Sequence, residues 1–136
     1  AGGIIDGATM AAAFALGAEG VQMGTRMVSA AESPVHDNWK HAIVAAAETD
    51  TLFLNERHSP ALRALRTERT TRLRDSEHNV FGEFGDYAAL YFGGAMEAAI
   101  PLTGQVAGRI DSVRPVAEII ADTVREFGET VARLAR

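Results

Sequence analysis

Two glycine-bearing stretches restrict this chain more than anything else in it: AGGIIDG at residues 1–7 and VQMGTRM at residues 21–27. Gly2 and Gly3 read as the end of a strand turning into a loop, and Gly24 with Thr25 repeats the arrangement. Between them, DGATMAAAFALG has the marks of a helix. Asp6 can cap it, Met10, Phe14 and Leu16 supply apolar bulk, and Gly17 stands where a left-handed residue ends a helix. EGVQMGT follows, has few polar residues, and reads as a short buried strand ending at Gly24. Strand, helix, strand at this spacing is the parallel βαβ rhythm, in which helices cover both strands.

A phosphate held by backbone needs N–H groups that converge on one point with no Cβ in the way. Glycine permits that approach, and a helix N-terminus adds a favourable dipole. Gly2 and Gly3 stand 22 and 21 residues before Gly24, about one βα period, so the two glycine sites fall on neighbouring strands at the same end. In (β/α)₈ barrels the phosphate site is often built from the loops after strands seven and eight. The spacing permits a two-loop phosphate grip, with the Thr25 hydroxyl as an added donor. The same residues also fit a pair of tight turns, Gln22 and Met23 fit core filling, and Asp6 fits a helix cap better than a catalytic acid.

The rest of the chain is less constrained. Ser33–Pro34 reads as a cap with proline at the first helical position, opening a helix that runs to about Glu48 with Val35, Trp39, Ile43 and Ala46 on one face. DTLFL, residues 50–54, reads as a short strand. SPALRALRTE allows one or two helical turns, and RTTRLRDSEHNVFGEFGDY reads as a polar excursion over the surface. YFGGAMEAAIPLTGQVAGRI reads as helical pieces broken at Gly93–Gly94 and Pro101. From Pro115 onward Val116, Ile119, Ile120, Val124, Phe127, Val131 and Leu134 recur at helical spacing, a surface helix with one buried stripe.

A net charge of −5 gives no electrostatic case for nucleic acid or an anionic membrane, and the arginines of RTERTTRLRDSE are interleaved with acids. The absence of cysteine excludes both a disulfide framework and a thiolate metal site, and no metal site is expected. No apolar run approaches the ~20 residues of a membrane span. The expectation is a soluble, cytoplasmic chain. Two or three short buried strands would leave unpaired edges. The fold is therefore expected to be incomplete, with its other strands lying elsewhere.

AGGIIDGATMAAAFALGAEGVQMGTRM resembles the signature region of the nitronate monooxygenase family, once called 2-nitropropane dioxygenases. The likeness continues through Glu32, Ser33, His36 and Lys40, the TDT of residues 49–51, and GQVAGRI at residues 104–110. It departs from the family pattern at Met27, where a Phe is usual, and at Thr67, where an Asn is usual. The same fold group holds the FMN-dependent enoyl-acyl-carrier-protein reductases. The resemblance implies an α/β fold, the C-terminal part of a (β/α)₈ TIM barrel, covering about strands seven and eight, their helices and a helical C-terminal extension. Residues 1–54 would be the last βα units of the FMN-binding barrel, residues 55–90 a surface excursion, and residues 91–136 helices packing back on the barrel.

By the same resemblance the cofactor is FMN. Gly2, Gly3, Gly24 and Thr25 would hold its phosphate, with Gln22 and Met23 on the matched strand. The family's catalytic histidine lies upstream of AGGI, so none is expected here. His36, His41, His58 and His78 read as solvated or capping residues. The implied partners are the remaining N-terminal part of the same barrel and a small-molecule substrate, a nitronate, quinone or enoyl thioester, with O2 or NAD(P)H; neither nucleic acid nor membrane is implied. The contrasting reading is a non-catalytic helical module that binds a partner through its amphipathic faces.

Overall fold

The computed structural model describes all 136 residues, Ala1–Arg136. Helix α1 (Gly7–Ala15) begins where the sequence predicts. The extended Asp6 caps it: its carboxylate accepts from the Thr9 N–H at 2.7 Å, and the Thr9 hydroxyl accepts from the Asp6 N–H. Gly17, at φ +97°, stops the chain just beyond it. Helix α2 (Thr25–Val28) is a single turn directly after Gly24. Helix α3 (Asp37–Ala45) starts later than Ser33–Pro34 predicts and ends before Glu48. His36 is its cap, accepting from the Asn38 N–H at 3.1 Å, so the chain from Ser33 to His36 stays outside the helix.

The strand predicted at residues 50–54 is present as β1 (Thr51–Leu54). Its partner is β2 (Leu62–Leu65), antiparallel, with Thr51 opposite Leu65 and Leu54 opposite Leu62. The helical turns read into SPALRALRTE are therefore replaced by a strand. Its second edge is also used: the Leu65 N–H donates to the Pro101 carbonyl at 2.9 Å, and the Thr103 N–H to the Arg63 carbonyl at 3.0 Å. Pairing on both sides outweighs the local helical pattern. It also holds residues 101–103 extended, where helical pieces were expected. Helical structure nearby is confined to α5 (Tyr87–Tyr91) and a 3₁₀ turn at Ala107–Arg109. Helix α4 (Glu68–Leu73) is capped by Thr67.

The strands predicted at residues 1–3 and 20–25 are absent. Neither stretch has a ladder partner within this chain, and strand structure exists only between paired segments. The architecture is α/β, an antiparallel pair with α4 packed against β1 and the extended residues 101–103 along β2. Its interior has two parts. Val35, Trp39 and Ile43 pack with Leu65, Leu90, Ala99, Ala107 and Ile110, while Leu52, Leu54, Ala64, Leu73, Val80 and Ile100 form the other. The stretch read as a surface excursion thus places Ala64, Leu65, Leu73, Val80 and Leu90 inside.

The nineteen-residue α6 (Val116–Leu134) lies against the nine-residue α1. Phe14 and Phe127 meet edge to face at 5.2 Å. A Cβ on Gly7 would overlap the backbone nitrogen of Phe127, so glycine sets how closely the helices approach. Because α1 is half as long, the expected buried stripe is divided. Ile119 is buried, whereas Ile120, Val124, Val131 and Leu134 are exposed. No helix is long and apolar enough to cross a membrane.

Candidate phosphate-binding site

Each glycine loop delivers the chain to a helix start, the first to α1 and the second to α2. Gly2 and Gly3 have φ of +87° and +79°, where a side chain is disfavoured. Gly24 has an ordinary φ of −95°. Although no ladder joins the two loops, they face one another. Gly2, Gly3 and Ile4 line a cavity of about 310 Å³ together with Gln22, Gly24, Thr25, Gly104 and Val106.

The donors in this cavity are uncommitted. The N–H groups of Gly2, Gly3, Ile4, Gly24 and Thr25 donate to no acceptor of the chain. The glycines are also unobstructed. A Cβ on Gly2 or Gly24 would meet nothing within 4 Å, and one on Gly3 only the Gln105 Nε2 at 3.9 Å. Gly94 and Gly108 differ, Gly94 lying against the His36 ring and Gly108 against the backbone of Ala47 and Glu48; Gly20, Gly82 and Gly128 are as unobstructed as Gly24 but lie outside the cavity. Gly24 has neither a positive φ nor a neighbour that requires glycine. What its missing Cβ preserves is room within the cavity, which is what a backbone-bound anion needs.

Thr25 was expected to donate to a phosphate; the structure shows its hydroxyl accepting. Its Oγ1 accepts from the Gly104 N–H at 2.8 Å, fixing the hydroxyl while leaving its proton to give. A Cβ on Gly104 would come within 2.9 Å of that oxygen. Gly104 is the site residue that sequence reasoning missed. It lies in the GQVAGRI patch, which carried the family likeness without indicating what the glycine does. Gln22 lines the cavity; Met23 does not.

Arg26, next to Thr25, is 6% exposed and donates from Nη2 to the Ser112 carbonyl at 2.9 Å, tying α2 to the chain leading into α6. Burial lowers its pKa below the ordinary arginine value, and Arg114 adds to this while Asp111 opposes it. None of the four histidines lines the cavity. His36 caps α3, His58 lies 2.9 Å from the Glu77 carbonyl, and His78 pairs with Glu83. No cluster of three or more His, Cys, Asp or Glu side chains could hold a metal ion.

The profile of the nitronate monooxygenase family matches residues 1–126. A nitronate monooxygenase of Paraburkholderia phytofirmans is 30% identical over 144 residues, covering 98% of this chain and 38% of that protein. The structure of FabK from Thermotoga maritima superposes with a TM-score of 0.89 at 41% identity, over 98% of this chain and 45% of FabK. The nitroalkane oxidase of Streptomyces ansochromogenes shares the fold, with a TM-score of 0.72 at 23% identity over 97% of this chain and 39% of its own. The chain thus spans less than half the length of these relatives. A profile match over nearly all of the sequence, glycine loops included, makes this chain a member of the nitronate monooxygenase family.

Proposed function

We propose that this chain supplies the phosphate-binding loops of an FMN-dependent oxidoreductase built on a (β/α)₈ barrel. The observation that carries the reading is Gly24, a glycine with an ordinary backbone and no protein neighbour, in a cavity ringed by uncommitted N–H donors. A flavin phosphate fits these residues. Gly3, Gly24 and Thr25 would hold it through backbone N–H groups and the Thr25 hydroxyl, with Gln22 at the margin. FMN, when bound, supplies the redox chemistry, and the task of these residues is to anchor and orient it. The remainder of the barrel would complete the substrate face.

Within this reading the reaction is oxidation of a nitronate with O2, as the family suggests. The likeness to FabK, 41% identical over 98% of this chain, supports a second reading, reduction of an enoyl thioester by NAD(P)H. The holoprotein separates the two. Release of FMN on denaturation, with O2 consumed on addition of an alkyl nitronate, is the expected result. NAD(P)H oxidation dependent on an enoyl thioester would select the second reading. A protein that neither carries nor binds FMN would overturn both.

A further inference from the structure

A phosphate monoester brings about −1.5 to −2 charges at neutral pH. Every side chain lining the proposed phosphate cavity is uncharged, and the chain as a whole carries −5. Backbone N–H groups supply partial charges only. A second cavity, of about 420 Å³, adjoins the first and shares Gly3 and Val106 with it; Arg63, Arg109, Glu48 and Gln105 lie on its walls. Arg109 is committed to Asp6 at 2.9 Å. Arg63 has no carboxylate partner at all. Its guanidinium is nevertheless held: Nη1 donates to the Thr51 Oγ1 at 3.0 Å, and its carbon stands 5.5 Å from the centre of the Phe53 ring. Both anchors come from β1, where Phe53 is the residue opposite Arg63.

We infer that Arg63 is the counter-charge of the phosphate cavity, the residue that makes the site select a phosphorylated flavin over an uncharged one. The inference rests on the phosphate reading above. Arg63 acts through space from the adjoining cavity, which shares Gly3 and Val106 with the first, and is pre-positioned by Thr51 and Phe53, so its charge costs no rearrangement when the anion arrives. Glu48, on the same cavity, opposes it. Neutralising either residue should therefore shift affinity in opposite directions.

The test uses the full-length protein stripped of flavin, titrated with FMN and with riboflavin, which lacks the phosphate, at two salt concentrations. Wild type binds FMN more tightly than riboflavin, and the preference shrinks as salt is raised. Arg63→Gln weakens FMN about fivefold, flattens the salt dependence and leaves riboflavin unchanged, while Arg63→Lys restores most of the loss. Glu48→Gln, at an exposed position, tightens FMN by a similar factor and again leaves riboflavin unmoved. Equal binding of FMN and riboflavin by wild type would sink the phosphate reading itself. A wild-type preference that survives intact in Arg63→Gln and Glu48→Gln would overturn the role of Arg63 alone. Equal losses of FMN and riboflavin in Arg63→Gln would do the same, by showing a structural effect.

Discussion

Because Gly24 has an ordinary φ and open space around it, Gly24→Ala should fold as well as wild type yet lose flavin. Displacing the phosphate from one or two charge-assisted hydrogen bonds, about 1.5–3 kcal/mol each, predicts a loss of tenfold or more in FMN affinity. Flavin content measured beside the melting temperature checks it; an unchanged FMN content would remove Gly24 from the site. Gly3→Ala should lose flavin and stability together, since φ +79° costs a side chain about 1–2 kcal/mol. Thr25→Val should weaken FMN and strand the Gly104 N–H, whereas Thr25→Ser should keep both bonds and behave as wild type in titration and melting. That Gly3, Gly24 and Thr25 would share a cavity was legible in the sequence because glycine beside a helix start is a local chemical statement. Gly104 was not, because its role depends on a contact with a residue 79 positions away.

Among the elements, the legible ones are those that carry their own instructions. α1 has Asp6 and Gly17 at its ends, and α6 has its apolar repeat. β2 has no such signal: LRAL becomes a strand only because β1 and residues 101–103 flank it. The same distinction governs stability. Gly7→Ala forces α1 and α6 apart against backbone atoms, and overpacking of this kind costs about 1–3 kcal/mol, visible as a lower denaturant midpoint. On α6, hydrogen bonds from Arg114 and then Arg125 hold the Asp122 carboxyl below its ordinary pKa. A group depressed in the folded state stabilises it above the unfolded value, near 3.9, and that contribution fades as pH falls through the folded value. Wild type should therefore melt above Asp122→Asn at neutral pH, and the two curves should converge in acid. A difference that does not shrink as pH falls would show that Asp122 acts by some other route.

For the whole molecule, the apolar surface is the deciding quantity. Leu16 is 90% exposed, Leu134 71%, Phe92 68% and Val124 60%, on a chain that spans 38–45% of the length of the relatives it matches. Exposed apolar area of this kind drives association. Expressed by itself, the chain should elute heavier than 14.5 kDa in size-exclusion chromatography, and a monodisperse monomer with a cooperative melt would refute this. The incomplete fold expected from the sequence already points to exposed apolar surface; which residues of α6 carry it is seen only once the shorter α1 covers part of the stripe. The bond between Thr25 and Gly104 has a consequence in time as well as in space. A ribosome makes Gly3, Gly24 and Thr25 first and reaches Gly104 only 79 residues after Thr25, which takes about 4–16 s at ~5–20 residues per second. Throughout that interval the nascent chain holds two loops of the cavity without the third, so the cavity is complete only once the segment around Gly104 has been made.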